Sequence, residues 1–345
     1  MNIPAKPLKN DYLPRRILAI RLQAMGDLVI TLPYLQSLRE QLPPSVKLDL
    51  LTRKEVDSIP RNLQLFDKIY SIGGGRRFKL QLGLSFLLLP AILLRRYDVV
   101  LDLQNHPISR MVRKAVRPKA WSQFDKVSGF PAGERTRLTI EAAGFKNIDA
   151  YSKFSLKSSL SVDHILKQNG WDGKSDLVIL NPAGAFSTRN WPIDSYLYFA
   201  RIWLNHFPDT QFLMIGVDLI SQKAAFLKSK LENSLINLVN KTSAAQAFVI
   251  IQKARFVLSE DSGLMHMAWV SGIPTLAMFG STRSDLSTPL GKHTLLLHSS
   301  DLECGNCLLA ICKYGDTRCL TRYTPEFVFE KALTLVDNSR NRVTE

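Results

Sequence analysis

Residues 259–282, SEDSGLMHMAWVSGIPTLAMFGST, combine acids, a histidine and glycines within an apolar stretch. Ser262 and Gly263 are predicted to begin a helix, whose first N–H groups point outward and suit an anion. A phosphate would repel Asp261, so we expect that carboxylate to accept hydrogen bonds from sugar hydroxyls. His266 lies one helical turn beyond Gly263, where packing or capping competes with ligand binding.

The loop at residues 181–192, NPAGAFSTRNWP, follows a strand-like run and precedes a helix. Gly184 and Ala185 are small and leave their backbone N–H groups accessible. Ser187 and Thr188 add hydroxyls, and Arg189 adds a fixed positive charge. This combination suits a phosphate, although a solvated surface arginine is the competing interpretation.

Two further loops carry small and polar residues. Gly280, Ser281 and Thr282 follow the next strand-like run and predict a second anion-binding loop. In the first strand–helix loop, Gly26 permits a tight turn and Asp27 stands at the start of the helix. An acid there caps the helix and complements its dipole, which competes with a catalytic role. The sequence lacks a complete G-x-G-x-x-G or Walker lysine motif, which argues against dinucleotide dehydrogenases and P-loop enzymes.

Strand-like apolar runs alternate with longer amphipathic stretches along the chain. Such alternation predicts parallel sheets with helices on both faces, and ligands bind beyond the carboxyl ends of their strands. The polar residues 147–164 separate two similar halves. The sequence therefore predicts an α/β protein of two doubly wound domains facing a central cleft, at residues 1–160 and 161–345.

The chain of 345 residues carries 45 Lys and Arg against 30 Asp and Glu, a net charge of +15. This excess predicts an anionic partner: a nucleic acid, a phosphorylated substrate or an acidic membrane surface. Against nucleic acid, the basic segments lack the aromatic residues of single-strand binders. A nucleic-acid-binding protein is the alternative from a different functional class, and we do not expect it.

The longest apolar run, residues 82–94, is too short to span a bilayer and contains Pro90. It predicts a buried helix, with a helix on a membrane surface as the alternative. The first 16 residues lack the apolar core of a secretory signal. We therefore expect a cytoplasmic protein, with peripheral attachment to the inner membrane as a further possibility.

Together these motifs resemble glycosyltransferase family 9, the ADP-heptose:lipopolysaccharide heptosyltransferases. The resemblance rests on RLQAMGDLVITLPYLQSLRE, YDVVLDLQ, NPAGAFSTRNWP, SEDSGLMHMAWVSGIPTLAMFGST and the tail CGNCLLAICKYGDTRCLTRYTPEFV, which follow the family order over nearly the whole chain. It implies the GT-B architecture of two Rossmann-like domains. The first would bind the acceptor and the second the nucleotide sugar.

The resemblance also implies roles for individual residues. Asp27 becomes the catalytic base, and Arg189 stabilises the leaving diphosphate. Asp218, in a weak match to the family's nucleotide loop, would contact the ribose. Donor-binding residues are Gly184, Ala185, Ser187, Thr188, Asp218, Asp261, Ser262, Gly263, His266, Gly280, Ser281 and Thr282. The family often has Lys at position 189 and Thr at position 262, and both exchanges keep the chemistry.

The reaction implied is inverting transfer of heptose from ADP-heptose to the phosphorylated inner core of lipopolysaccharide at the cytoplasmic membrane surface. The sequence has no DxD pair, so no metal or other cofactor is expected to be required. Another nucleotide sugar as donor is the closer alternative.

All four cysteines, Cys304, Cys307, Cys312 and Cys319, lie in one C-x₂-C-x₄-C-x₆-C segment. Persistent disulfides are not expected in a cytosolic protein. Four thiolates suit a closed structural zinc site, whereas the absence of a second C-x₂-C pair favours free thiols that pack a loop. Both interpretations stay open, and in either one the segment would anchor the final helix.

Overall fold

The computed structural model describes residues 3–9, 12–150, 153–156 and 161–340, with side chains to residue 337. The chain divides into two compact units, residues 1–157 and 158–345. Each unit is built around one six-stranded sheet within the described residues. The predicted α/β class is confirmed, and the boundary between the units falls outside the described residues.

The first unit alternates strands with helices from its second strand onward. Its strands are β1 (Ala5–Lys6), β2 (Arg16–Ile20), β3 (Lys47–Arg53), β4 (Lys68–Ile72), β5 (Val99–Asp102) and β6 (Ala120–Gln123). Its helices are α1 (Met25–Gln41), α2 (Ser58–Arg61), α3 (Phe78–Leu93), α4 (Pro107–Val116) and α5 (Ala132–Ala142). The strand order is β1-β6-β5-β2-β3-β4, parallel except for β1.

The second unit repeats this plan with a wholly parallel sheet. Its strands are β7 (Asp176–Asn181), β8 (Thr210–Gly216), β9 (Leu235–Val239), β10 (Ala254–Glu260), β11 (Thr275–Met278) and β12 (Thr294–Leu297). Its helices are α6 (Asp163–Gln168), α7 (Ile193–His206), α8 (Ser221–Leu231), α9 (Ala244–Ile251), α10 (Gly263–Val270), α11 (Ser284–Ser287), α12 (Arg318–Thr321) and α13 (Pro325–Arg340). The strand order is β12-β11-β10-β7-β8-β9.

Unbroken apolar runs form the central strands because helices cover both faces of each sheet. In β2, Ile17 to Ile20 are all fully buried, and the same holds for most of β10. Aromatic side chains fill one side of the second sheet, where Trp203 stacks on Phe256 with ring centroids 5.2 Å apart. Phe329 of α13 meets the Trp203 ring edge-on, so the final helix completes this core.

The strand order decides which loops can share a site. In the second unit β10 lies between β7 and β11, so the loops after these three strands emerge side by side. In the first unit β2 lies between β5 and β3, which places its following loop near the middle of the carboxyl edge. These are the positions where doubly wound sheets hold ligands.

Helix α3 differs from the predicted buried helix. Gln81, Ser85 and Ile92 are buried, but Leu87 is 77% exposed and Leu94, just beyond the helix, is 83% exposed. The prediction of a buried helix is therefore wrong for its outer face. Across the described ranges, no helix combines the length and apolar character needed to cross a bilayer.

Candidate active site

Two loops of the second unit approach each other too closely to admit side chains. A Cβ on Gly280 would lie 2.0 Å from the carbonyl oxygen of Thr188, and one on Gly184 would lie 2.3 Å from that of Arg189. The N–H of Ser281 donates to the Thr188 carbonyl at 3.1 Å. Both glycines are therefore required by close backbone approach: Gly280 joins the loop after β11 to the loop after β7, and Gly184 lets the loop after β7 fold back on itself.

Asp261, directly after β10, ties the three predicted donor loops together. Its Oδ2 accepts from Arg189 Nη2 at 2.6 Å and from the Thr282 hydroxyl at 2.8 Å. The same Arg189 nitrogen also donates to the Asp261 carbonyl at 2.7 Å. Arg189 Nε is buried and has no hydrogen-bond partner in the described part of the chain. The arginine is thus held in place by the acid, with one buried donor left over.

Glu260 lies beneath this cluster and is fully buried. Its carboxylate accepts from the backbone N–H of Gly184 at 2.6 Å and from that of Trp191 at 2.7 Å. Burial raises the pKa of Glu260 to about 7, although nearby Lys223 and the two N–H donors favour the ionised form. Glu260 therefore shapes the loop after β7 by holding both of its ends.

Several predicted ligand groups are engaged within the protein. The N–H of Gly184 donates to Glu260, and its predicted contact with a phosphate stays a prediction. The Thr188 hydroxyl is buried and donates to the Leu309 carbonyl, and it also bonds to the Ser281 hydroxyl at 2.9 Å. The Ser187 hydroxyl donates to the carbonyl of Ala310 at 3.0 Å. These hydroxyls fix the loops, and their predicted contacts with a phosphate stay predictions. Ala185 is exposed on the loop after β7.

Helix α10 begins where the sequence predicted it, with Ser262 as its N-cap. The Ser262 hydroxyl accepts from the N–H of Met265 at 3.4 Å and from Asn181 Nδ2 at 2.7 Å. The first N–H groups of a helix have no partner within it, so the turn at Gly263 is open to an anion. His266 is buried, and its Nδ1 accepts from Trp269 Nε1 at 3.1 Å. In this structure the His266 side chain is therefore packed in the interior.

Asp218 follows β8 and lies at the start of a short 3₁₀ helix. It is exposed, and its Oδ1 accepts from the Ser221 hydroxyl at 3.0 Å and from Asn240 Nδ2 at 3.4 Å. One strand, β7, lies in the sheet between β8, which precedes Asp218, and β10, which precedes Asp261. Its predicted contact with a ribose stays a prediction.

Sequence analysis missed three residues that build this site: Asn181, Lys223 and Glu260. Asn181 Nδ2 links the hydroxyls of Ser259 and Ser262, each at 2.7 Å. Lys223 Nζ donates to the Pro182 carbonyl at 2.7 Å and to Asn190, and burial lowers its pKa. Asn181 and Glu260 each occupy the last position of a buried strand, and a polar residue there was the available signal.

In the first unit, Asp27 stands in the first turn of α1. Its Oδ2 accepts from the N–H of Ala24 at 2.9 Å, and its Oδ1 pairs with Arg21 Nη2 at 2.9 Å. The predicted capping interaction is present, but the Asp27 side chain is still 42% exposed whereas Arg21 is only 4% exposed. Capping and availability to a ligand therefore coexist at this residue.

A pocket of about 610 Å³ opens beside Asp27 at the carboxyl edge of the first sheet. Its other polar lining includes Glu55, Gln104 and two cations, Arg53 and Arg76. A carboxylate with neighbouring cations can accept a proton while an anionic group is held nearby. The pocket therefore offers a carboxylate for acid–base chemistry, and its lining also holds Arg76 and the ion pair of Arg53 with Glu55.

The four cysteines are free and line one small cavity that also touches Thr188 and Ser281. Among the residues that the structure describes, no three His, Cys, Asp or Glu side chains are grouped so that they could hold a metal ion. The choice between free thiols and a structural zinc site is left to direct analysis. The segment also accepts hydrogen bonds from Ser187 and Thr188, so it braces the donor loops as well as preceding the final helix.

Comparison with known proteins places these features in one family. A sequence model of glycosyltransferase family 9 (heptosyltransferase) matches residues 133–317, more than half of the chain. The chain belongs to glycosyltransferase family 9. The matched region begins within α5 and runs through every donor loop described above.

Curated relatives of this family 9 chain include heptosyltransferases of two kinds. It is 30% identical over 165 residues to lipooligosaccharide heptosyltransferase 2 of Campylobacter jejuni, covering 46% of this chain and 51% of the relative. The match to the enzyme of the same name from a second C. jejuni strain covers 59% of that enzyme. The chain therefore spans little more than half the length of these relatives. Lipopolysaccharide heptosyltransferase 1 of Pseudomonas aeruginosa is 23% identical, covering 91% of this chain and 96% of the relative.

Solved structures show the same fold. A family 9 glycosyltransferase from Veillonella parvula aligns with a TM-score of 0.76 at 16% identity, covering 94% of this chain and 97% of that one. An E. coli heptosyltransferase with ADP-2-deoxy-2-fluoro heptose aligns with a TM-score of 0.64 at 17% identity, covering 91% of this chain and 98% of that one. The predicted GT-B fold of two Rossmann-like domains is confirmed.

Proposed function

We propose that this family 9 chain transfers heptose from ADP-heptose to the inner core of lipopolysaccharide or a related glycolipid. The observation that carries the proposal is the linked cluster of Asp261, Arg189 and Thr282 beside the start of α10. It lies at the edge where doubly wound sheets bind nucleotides. The relatives' names supply the heptosyl group and the acceptor class, and the solved heptosyltransferase with ADP-2-deoxy-2-fluoro heptose supplies the nucleotide.

The donor diphosphate would occupy the space between Arg189 and the first turn of α10. Arg189 Nε is buried and has no hydrogen-bond partner in the described part of the chain, so an anion would satisfy it. The N–H groups at Gly263 would add the attraction of a helix start. Asp261 would position the guanidinium through Oδ2 and leave Oδ1 for a sugar hydroxyl.

The transfer is proposed to invert the anomeric carbon in one displacement. The acceptor oxygen forms a bond to C1 as its proton passes to the carboxylate of Asp27. The bond from C1 to the diphosphate oxygen breaks, and its electron pair leaves with ADP. Arg189 and the α10 N–H groups then stabilise the charge that develops on the leaving group, so the proposal requires no metal or other cofactor.

Asp27 is proposed as the general base because it is both oriented and accessible. The Ala24 N–H and Arg21 each fix one carboxylate oxygen, which limits the rotation of the side chain. General-base catalysis requires such a carboxylate within hydrogen-bond reach of the acceptor hydroxyl. Arg53 and Arg76 would hold phosphates of the acceptor in the same pocket.

The proposed setting is the cytoplasmic face of the inner membrane, with no nucleic acid involved. The test is a donor panel with a purified inner-core acceptor, in which ADP-heptose competes against UDP, GDP and CMP sugars. We expect acceptor-dependent release of ADP and a heptosylated product. Equal or faster turnover with another nucleotide sugar would support the closer alternative of a different donor, and no turnover with any sugar would contradict the proposal.

A further inference from the structure

Helix α3 exposes an apolar face that the proposed reaction does not use. The side chains of Leu80, Phe86, Leu87 and Leu93 are exposed along the helix, and Leu94 follows at its end. The opposite face packs against the core formed by β2 to β5. Contiguous exposed apolar surface of this kind marks an interaction site in a soluble domain.

Positive charges stand at both ends of this face and none stands along it. The sequence has no charged residue between Lys79 and Arg95. Arg76 and Arg77 precede the helix, while Arg95 and Arg96 follow it directly. An apolar face with basic ends is typical of helices that lie in a membrane interface.

The basic end of α3 continues into a large pocket at the amino ends of the parallel strands. The pocket has a volume of about 1020 Å³. Its charged lining consists of one acid, Asp98, and seven cations: Arg15, Arg16, Lys47, Arg95, Arg96, Arg117 and Lys119. Leu13 and Leu93 lie among them, so apolar and cationic groups meet at its rim.

Much of this charge is uncompensated within the protein. Arg95, Lys47 and Lys119 pair with acids, but Arg96 and Arg117 have no acidic partner among the described residues. Arg15 likewise has none there. Arg16 adds a buried Nη1 without a hydrogen-bond partner in the described ranges. External anions would satisfy these donors.

Binding of the transfer substrates does not explain this pocket. It surrounds the first residues of β2 and β3, whereas Asp27 follows the carboxyl end of β2. The two edges of a parallel sheet are separated by the length of its strands, roughly 3.3 Å per residue. The proposed transfer therefore leaves these cations without a role.

We propose that α3 and this pocket dock the protein on a bilayer containing anionic phospholipid. Leu87 and Leu94 would enter the acyl boundary, while Arg15, Arg96 and Arg117 would contact headgroup phosphates. A second copy of the chain is a poor partner for this face. If two α3 helices packed together, the arginines at the ends of one would lie against those of the other. The inference does not depend on the transfer chemistry, since it concerns a different edge of the sheet.

Flotation of the full chain with lipid vesicles tests the inference. Vesicles of phosphatidylcholine alone are compared with vesicles containing phosphatidylglycerol. Arg15→Gln/Arg96→Asn/Arg117→Asn removes three charges, and Asn suits positions 96 and 117 because both have positive φ, 52° and 50°. Leu87→Gln/Leu94→Gln removes the apolar contact. The control, Lys146→Gln/Lys167→Gln/Lys230→Gln, removes the same charge from exposed positions elsewhere.

Binding is expected only with phosphatidylglycerol. The triple arginine variant should lose about 100-fold in affinity and the leucine variant about tenfold or more, while the lysine control stays near the parent. An equal loss of vesicle affinity in the lysine control would show that only the net charge of the protein matters, and would overturn the inference. Unchanged binding in both test variants would also overturn it, as would a parent dimer in sedimentation that Leu87→Gln/Leu94→Gln dissociates. An unfolding temperature and an ADP affinity equal to those of the parent show that the variants are folded.

Discussion

At the scale of single residues, Asp27 combines a helix-capping contact with exposure to a pocket. Asp27→Asn keeps the size of the side chain and an oxygen for the Ala24 N–H but removes the base. We expect transfer to fall about 10²- to 10⁴-fold, with ADP affinity unchanged. Single-turnover rates and calorimetric ADP binding measure the two effects separately.

Glu55→Gln is the matched control, because Glu55 lines the same pocket and accepts from the N–H of Gly75 at 2.9 Å. Its effect on the rate should stay below tenfold. If Glu55→Gln abolished transfer and Asp27→Asn did not, the base would be assigned to the wrong carboxylate. If Asp27→Asn lost enough thermal stability to account for its loss of rate, the role of Asp27 would be helix capping and not catalysis.

Arg189 gives a second prediction at this scale. Arg189→Ala removes the buried donor and leaves Asp261 without its ion pair, so ADP affinity and turnover should both fall, by about 10- to 100-fold. Arg189→Lys keeps the charge and should recover most of the affinity. Arg201→Ala, at an exposed position on α7, is the control. Unchanged ADP affinity in Arg189→Ala would remove this residue from the donor site.

The sequence predicted residues of this site but not the hydrogen bonds between them. Asp261, Arg189 and Thr282 were predicted together, and the structure joins them through one carboxylate oxygen. The commitment of the Gly184 N–H to Glu260 spans 76 positions. No local pattern encodes a contact at that separation, so this hydrogen bond could not be predicted from the sequence.

At the scale of elements, the loop after β7 depends on one buried acid. Burial raises the pKa of Glu260 to about 7 from its ordinary 4.5. The folded protein therefore holds this proton more tightly than the unfolded chain does. The stabilisation is complete below pH about 4.5 and is lost as the pH rises through about 7, at most about 3 kcal/mol.

Urea unfolding at pH 5 to 8 tests this contribution, with Glu260→Gln as the comparison. The amide cannot accept from both the Gly184 and Trp191 N–H groups, so we expect the variant to be less stable at pH 5. Its free energy of unfolding should change less with pH than that of the parent. Parallel curves for the two proteins would show that Glu260 does not titrate in this range.

The cysteine segment offers an independent element-scale prediction. Backbone N–H groups, that of Thr317 first, lower the pKa of Cys312, whereas burial raises the pKa of Cys319. Cys312 should therefore react before Cys319 with iodoacetamide near neutral pH, because the thiolate is the reactive form. Mass spectrometry of peptides from timed reactions gives the order.

Elemental analysis of the same preparation, purified under reducing conditions, decides between thiols and metal. We expect four titratable thiols in the native protein. About one zinc per chain, with all four thiols protected until chelation, would contradict this expectation and establish the structural site.

Long apolar runs made the central strands predictable, but three short or polar strands were missed. β6 reads AWSQ and β1 has two residues. They join the sheet through backbone pairing with each other and with β5, which needs no apolar pattern. β9 follows α8 after one short turn, so its apolar residues were not separable from the helix.

At the scale of the whole molecule, cations of the first unit line pockets at both edges of its sheet. Arg53 and Arg76 lie beside Asp27, while Arg96 and Arg117 lie at the amino ends of the strands. The sequence predicted an anionic partner for the excess of positive charge without locating the cations at either edge. Arg76 and Arg96 lie at different edges because helix α3 carries the chain from one edge to the other between them.

The two units differ in their cores, which leads to a final prediction. The aromatic core around Trp203 and Phe256 lies wholly within residues 158–345, and it includes residues of α13. The cluster around β2 to β5 lies within residues 1–157. Each unit therefore has the separate core expected of a domain that folds alone.

We expect residues 158–345, expressed alone, to unfold cooperatively and bind ADP about as well as the full chain, because every proposed donor contact lies within them. The fragment should show no transfer, since Asp27 is absent. The same fragment with Arg189→Ala is the control and should lose ADP affinity by the factor found in the full chain. A folded fragment that failed to bind ADP would mean that the first unit supplies donor contacts, and the division of acceptor and donor sites between the units would then be wrong.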